Sequence, residues 1–551
     1  MDLDQMLFTI PKGFHSKEEI IRILRKHPEV KFVSLVGVDI GGHDTDEKIP
    51  VELFIKEMDQ FFQQGVQTDG SSVVLPKIAA LNNAKVDIIP DLDSNWFVDY
   101  NFQHICQGSG LPVGTLRIPS FLLHNDTAEV GSRVILRDTT EAFRTDLLEL
   151  LKKHPYVFQY LDIDSADDIE RIVMTGATEL EFWVKTPEDR ADRQQLSTSQ
   201  ELKEQYWQRT RGPVRTALEK TLLFLDRYGF GVEMGHKEVG GIKAKLGNSG
   251  QYDHIMEQLE IDWRFSTLLQ SADNELHIRY VIKDIFRAHG LDVTFMAKPI
   301  DGVSGNGKHT HMGVAAKLKD GRTVNLFSPK DMKKHFLTPI GFGALMGILK
   351  NYEIINPFIA STNDALNRLK PGFEAPVCVV TSLGHRTENP SRNRTVLVAL
   401  IRDEKNPLCA RFELRSPSPK SNTYLVLATA YLAMLDGIKA ALEAEKSSEE
   451  LEKALSKAHD EEAFYLEKGR AYRSEEDVYQ AYTQEERDRY FGEAPATVWE
   501  SLCAFDQYPN KMEILMQDGI FDGLTLESYK EAILAQWAME LHNRIIPNTM
   551  D

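Results

Sequence analysis

The chain has 551 residues, 42% of them hydrophobic and 27% charged, which are the proportions of a soluble globular protein long enough for more than one domain. A formal net charge of -19 argues against a nucleic-acid-binding surface, because phosphates need a basic patch to meet them. Four widely spaced cysteines (Cys106, Cys378, Cys409, Cys503) give neither a zinc knot nor a disulfide framework, and a reducing cytoplasm is the expected location. Met1–Pro11 lacks the basic start and apolar core of a signal peptide. The apolar run Tyr424–Leu435 is too short to cross a bilayer and reads as a buried helix, so no membrane partner is expected.

In chain order, Ser16-Lys-Glu-Glu19 is a capping box that opens a helix through Arg25. Lys31–Asp39 is a β-rich run, Val51–Gln63 has apolar residues at helical spacing, and Gln67-Thr-Asp69-Gly-Ser-Ser72 is a turn. Lys85–Asp93 is a strand ending in acids, and Arg137–Lys153 is an amphipathic helix. The division this predicts is 1–125 and 126–551.

Next comes Thr175-Gly-Ala-Thr-Glu179-Leu-Glu181-Phe-Trp-Val184, a β-branched and aromatic run with two carboxylates two residues apart. Alternate side chains of a strand share a face, so Glu179 and Glu181 point the same way. Two such anions repel unless water or cations separate them. Thr186–Gln205 reads as a solvated excursion, 213–228 as a helix, and Gly231–Glu238 and Gln258–Phe265 as further acid-bearing strands. Ala272–Gly290 is expected to be helical, Leu291–Ile300 a strand, 440–489 a charged helix-prone extension, and Trp499–Ile546 helical.

Gly302-Val-Ser-Gly-Asn-Gly307-Lys308 comes close to a phosphate-cradling P-loop. The next position, where magnesium needs a hydroxyl, is His309, and the following residues alternate like a strand instead of opening a helix. His309 and His311, on one face of that strand, could offer an imidazole to a metal.

Taken together and in order from about Phe14 to Gly437, these segments resemble the glutamine synthetase family. Asp69-Gly-Ser-Ser72 resembles its ammonia-site turn, Glu179-Leu-Glu181 its metal strand, and His236-Lys-Glu238 and Gln258-Leu-Glu260-Ile-Asp262 its next acidic segments. Phe295–Ile300 with Gly307-Lys-His309-Thr-His311 resembles the ATP-side signature, Arg368–Pro376 the substrate flap, Asn393-Arg394 the phosphate-binding arginine, and Arg411-Phe-Glu413-Leu-Arg415 the last ligand strand.

The resemblance implies an α+β fold, with a small N-terminal β-grasp domain and a larger catalytic domain whose curved antiparallel sheet is flanked by helices. It implies one Mg²⁺ or Mn²⁺ at Glu181, Glu238 and Glu260 and another at Glu179, His309 and Glu413, hard ligands suited to such ions. Asp69 would deprotonate ammonium, Glu374 would close the flap, and Arg394 would stabilise the transferring phosphoryl group. Ser72, Gly305, Arg368 and Arg415 would bind substrate, and Glu233, Phe265, His311 and Arg411 would contact nucleotide. The implied reaction joins ammonia to the side-chain carboxylate of L-glutamate at the expense of ATP. The implied assembly is a homo-oligomer, a hexameric ring or dodecamer with sites shared between subunits. A ligase for another amine (polyamine or ethanolamine) and a non-catalytic regulatory or structural member are the alternatives.

The chain departs from the family pattern at Ser304, where an asparagine is usual, at Ala399, where an arginine is common, and at Ser416-Pro-Ser-Pro419. Arg402 is a possible substitute for that arginine if the register slips, the segment Gly240–Glu257 is longer than usual, and Tyr479 and Tyr482 fall near a loop that carries a modifiable tyrosine in some members.

Overall fold

The computed structural model describes residues 3–79, 84–187, 206–245, 252–300, 302–370, 376 and 378–546. Among these, the N-terminal part builds an eight-stranded sheet from β1 (Thr9–Ile10), β2 (Val30–Gly37), β3 (Ile49–Pro50), β4 (Val66–Asp69), β5 (Lys85–Pro90), β6 (Trp96–Ile105), β7 (Pro112–His124) and β8 (Ala128–Val130). The long strand β7 is its spine: it runs parallel to β2 and antiparallel to β5, β6 and β8. Ser16 accepts the Glu19 amide hydrogen as the N-cap of helix Lys17–Lys26, as its hydroxyl predicts. The strand β4 pairs only with β5 among the described residues, which leaves the Asp69 turn at an outer edge.

The larger part is organised on a ten-stranded sheet among the described residues: β9 (Ile169–Pro187), β10 (Val232–Lys245), β11 (Tyr252–Trp263), β12 (Ser266–Thr267), β13 (Asp292–Thr294), β14 (Lys308–Leu318), β15 (Thr323–Asn325), β16 (Thr381–Ser382), β17 (Val398–Ile401) and β18 (Arg411–Leu414). Its main path is β10-β11-β9-β14-β18-β17-β16, antiparallel except for the β16–β17 pair. Leu180, Phe182, Leu259, Ile261, Met312, Phe412 and Leu414 alternate with the polar residues of these strands and enter the main hydrophobic core. The opposite face is therefore free to carry charge.

Helix Thr423–Glu443 runs through that core. It is long and apolar enough to cross a membrane, yet 83% of its most apolar window is buried within the protein. It crosses helix Pro339–Lys350 so closely that a Cβ at Gly347 would stand 2.0 Å from the Ala433 carbonyl oxygen. Glycine is required at this crossing because only a hydrogen fits.

Two expectations about secondary structure change. The strand predicted over Leu291–Ile300 is only Asp292–Thr294, because Asn306 Nδ2 donates to the Thr294 and Met296 carbonyls and ties that segment to the glycine loop. The charged extension is helical over Ser448–Leu455 and then mostly irregular to Asp477. Ion pairs and apolar burial order it: Glu353 accepts from Arg470 and from Lys511 (2.9 Å), Arg473 holds Glu475 (2.6 Å), and Leu466 and Tyr472 enter the main core. The helical C-terminal region is as expected, in Val498–Gln507, Pro509–Met516 and Gly523–Glu540.

Candidate active site

Five adjacent strands bring their polar faces into one surface. Register places Glu181 opposite Glu260 and Glu179 opposite Asp262 between β9 and β11, and His236 opposite Glu260 between β10 and β11. On the other side, Glu179 lies opposite His309 and His311 opposite Glu413. The two-residue spacings read from sequence are thus the spacings of one sheet face. Glu179, Glu181, Glu238, Glu260, His309 and Glu413 all meet there.

At the β14 end, Glu179 binds both histidines, His309 Nδ1 at 3.1 Å and His311 Nε2 at 2.7 Å, and His309 Nδ1 lies 3.5 Å from Glu413. Arg411 Nε donates to His311 Nδ1 at 3.0 Å, so the His311 ring proton sits on Nε2 and points at Glu179. Arg415 donates to Glu413 and, at 3.2 Å, to the Arg394 carbonyl. Burial would raise both acids, but the two histidines hold Glu179 well below the carboxylate range, and Arg415 with His309 lowers Glu413.

At the β10 end, His236 lies between Glu238 (3.2 Å) and Glu260 (3.5 Å). Burial pushes Glu260 well up, and repulsion from Glu181 and Glu238 adds to it; burial and Glu181 likewise raise Glu238. The same two acids overcome burial at His236 and push it up to about 10. Glu181 is fixed from behind by the Gln258 side-chain amide (3.0 Å) and the Gly307 amide (2.8 Å).

Ligand atoms of Glu179, His309 and Glu413 all lie within 4.8 Å of one another, as do those of His236, Glu260 and Asp262. These are oxygen-rich, imidazole-containing donor sets, and they fit a hard divalent cation. His236, Asp262 and Gln258 were not singled out from sequence as site residues. Their positions two residues from Glu238 and Glu260 were the available signal.

The remaining expected residues are distributed as follows. Gly305 lies against Arg368, where a Cβ would meet the Ala297 carbonyl at 2.3 Å, and its own carbonyl accepts from Gln258. Arg368 is buried and its fork donates to the Arg415 and Ser416 carbonyls at 3.1 Å, so in this arrangement it fixes the turn after β18. Arg394 is exposed beside Tyr206, and that tyrosine also faces Glu238. Trp207 follows with φ +58°, an unusual backbone state for an aromatic residue, and its ring lies 4.8 Å from that of His236. Glu233 pairs with Arg264 at 3.4 Å, and Phe265 is 68% exposed at the end of β11. Asp69 accepts from the Ser71 amide and hydroxyl, which lower its pKa, and Ser72 accepts from Thr68. Glu374 lies outside the described residues, as do most of the 186–205 excursion and part of the long 240–257 segment.

Three sequence readings are settled by partners. Lys308 does not serve a P-loop: it is buried and donates to the Ser421 carbonyl and the Thr423 hydroxyl, both at 2.7 Å. Arg402 does not replace an arginine at Ala399, because its guanidinium is spent on the Met332 and His335 carbonyls. Tyr479 and Tyr482 are both partly buried, Tyr479 under Arg487 and Tyr482 against Phe491, which is not the presentation of a modification loop.

Comparison with known proteins adds a family and a fold. The family described as "Glutamine synthetase, catalytic domain" matches residues 163–468, over half of the chain. The chain is 35% identical over 227 residues to a glutamine synthetase of Sulfolobus acidocaldarius, a match covering 41% of this chain and 42% of that protein. It is 28% identical over 416 residues to one from Pyrococcus horikoshii, covering 75% and 76%, and 26% identical over 544 residues to one from Vibrio alginolyticus, covering 94% and 95%. Among solved structures, a "GmaS/ADP complex" covers 95% of this chain and 98% of its own at TM-score 0.60 and 18% identity, a likeness of fold.

Proposed function

Because the chain belongs to the glutamine synthetase family of ligases, we propose that it joins ammonia to the side-chain carboxylate of L-glutamate, with ATP converted to ADP and phosphate through γ-glutamyl phosphate. The observation that carries this reading is the five-strand face: five glutamates and three histidines gathered on one surface, with Arg394 beside Tyr206, which also faces Glu238.

An unactivated carboxylate does not condense with an amine, because oxide is a poor leaving group. Phosphorylation by ATP supplies a better one, but it brings an anion to a polyanion. Glu181, Glu238 and Glu260 would hold one Mg²⁺ or Mn²⁺ and Glu179, His309 and Glu413 another. Such ions would supply charge neutralisation for the phosphates. Arg394 stabilises the transferring phosphoryl group, and Arg411 fixes the His311 tautomer that orients Glu179. Asp69 removes a proton from ammonium, so that a lone pair is available for attack. Since the Asp69 turn is exposed and its hydrogen bonds are local, a second copy of the chain would bring this turn to the face, and we infer a cytoplasmic ring of such copies.

One observation favours a second reading, in which the amine is larger than ammonia. Tyr206 and Trp207 set two exposed aromatic rings beside His236 and Glu238, a surface suited to an alkylammonium. The deciding experiment is phosphate release from ATP with glutamate and a panel of ammonium, methylamine, ethanolamine and polyamines. Highest kcat/KM with ammonium supports the first reading, and highest kcat/KM with an organic amine supports the second. Absence of turnover with every amine would refute both.

A further inference from the structure

Beside Arg394 lies a cleft of about 720 Å³ formed by the loop Gly384–Thr395 and the segment that carries Glu475 and Asp477, within the size range of small-molecule sites. His385, Arg386, Arg392 and Arg394 line it, and all four are exposed. Three of them are arginines, a concentration of positive charge on a chain whose net charge is -19.

The loop is built with care, while two of its arginines are left idle. Gly384 turns at φ +101°, where a Cβ would stand 2.4 Å from the Asn389 carbonyl oxygen. The Asn389 amide donates to Arg386 (3.0 Å), and the Ser391 amide donates to Leu383 (3.1 Å). Asn393 Nδ2 ties the loop to the Glu476 carbonyl at 2.8 Å. The two acids of the cleft are already engaged. Glu475 accepts from Ser382, the Gly384 amide (2.7 Å) and Arg473, and Asp477 accepts from the Tyr479 and Gln480 amides. Arg386 and Arg392, by contrast, have no ion pair or side-chain hydrogen bond among the described residues.

A fixed backbone that presents unpaired guanidinium groups matches an anion with several oxygens, because each fork can take two of them. The glycine loop does not meet this need, since Lys308 is buried against Ser421 and Thr423. Ala399, opposite Glu413 on β17, brings no charge either. The cleft joins the acidic face through Arg394, whose carbonyl accepts from Arg415 and whose side chain lies beside Tyr206.

Resting on the ligase reading above, we propose that Arg386 and Arg392 extend Arg394 into a three-arginine cradle for the polyphosphate of the nucleotide substrate. A single substrate carboxylate needs only one fork. A triphosphate can engage all three.

The test compares the wild type with R386A/R392A by isothermal titration with inorganic tripolyphosphate and Mg²⁺, and by steady-state kinetics. Tripolyphosphate affinity is expected to fall about tenfold, with a similar rise in KM for ATP and glutamate KM within about twofold. R386K/R392K is expected to recover part of the loss, because lysine keeps the charge without the fork. Unchanged tripolyphosphate affinity in a double variant with wild-type melting, or a rise in glutamate KM in place of ATP KM, overturns the cradle. If the double variant melts early, R386A and R392A singly decide by the same readouts. Tripolyphosphate binding by a wild type that turns over no amine would refute the ligase reading and leave the cradle standing. Full turnover with arginine-independent binding would refute the cradle alone.

Discussion

The two ends of the acidic face carry similar acids and meet their charge differently. At the β14 end, Glu179 and Glu413 sit among His309, His311 and Arg415, and both carboxyls are lowered. At the β10 end, Glu238 and Glu260 share one histidine while facing Glu181, and both are raised. The first end is balanced by the protein's own hydrogen-bond donors and by Arg415. The second is left in electrostatic debt to whatever cation it binds, so a divalent ion should matter most there.

The comparison breaks most visibly at Glu260. E260Q is expected to lower kcat by about a thousandfold, the scale of losing a catalytic cation site. It should also raise the melting temperature of the metal-free protein, because it removes a buried, repelled carboxylate. A metal-free melt that falls would show that Glu260 is already neutralised by the protein.

The opposite sign is expected for E413Q. Removing this acid leaves Arg415 buried without its partner, and denaturant unfolding should show a loss of about 1–3 kcal/mol. If E413Q and E260Q shift stability in the same direction, the two ends are not distinct.

Acidity separates them next. Glu238 and Glu260 have folded pKa values above the unfolded value near 4.5. Their neutral forms therefore stabilise the fold below about pH 4.5, and that contribution is lost as pH rises through the folded values, by at most about 1.4 kcal/mol per unit per group. Glu179 and Glu413 are shifted the other way, so their contribution is present above about pH 4.5 and lost as pH falls below it. Urea unfolding of the metal-free protein against pH should show the upper limb flattened in E260Q and the lower limb flattened in E179Q. Saturating Mg²⁺ should flatten the upper limb in the wild type.

The smallest effect is expected at Arg411. R411M frees the His311 Nδ1 position and with it the tautomer that serves Glu179, and should cost several-fold in kcat, with little change in melting temperature. Nitrogen-15 shifts of His311 should move toward a tautomer mixture in the variant.

Much of this face was legible in the sequence, because strand periodicity is a local signal. Glu179 with Glu181, and His309 with His311, each declare a shared side by their spacing. Which strands would lie next to which was not local information; the ordered family resemblance implied only which of their acids and histidines would meet. Arg402 was misleading for the same reason: a sequence gives a guanidinium's position but not the carbonyls that will claim it, here those of Met332 and His335. The helical reading of the extension failed beyond 455 because ion pairs to distant residues such as Glu353 and the burial of Leu466 and Tyr472, not helical periodicity, hold it. His236 was visible as part of a motif, but its bridging role depends on β10 lying beside β11.

The most direct measurement is Mn²⁺ titration of the metal-free protein, by isothermal titration or electron paramagnetic resonance, in the wild type, E260Q and E413Q. The account predicts at least two ions per chain in the wild type, with E260Q and E413Q each losing a different one. Absence of Mn²⁺ binding by the wild type, or binding that neither substitution alters, would contradict it.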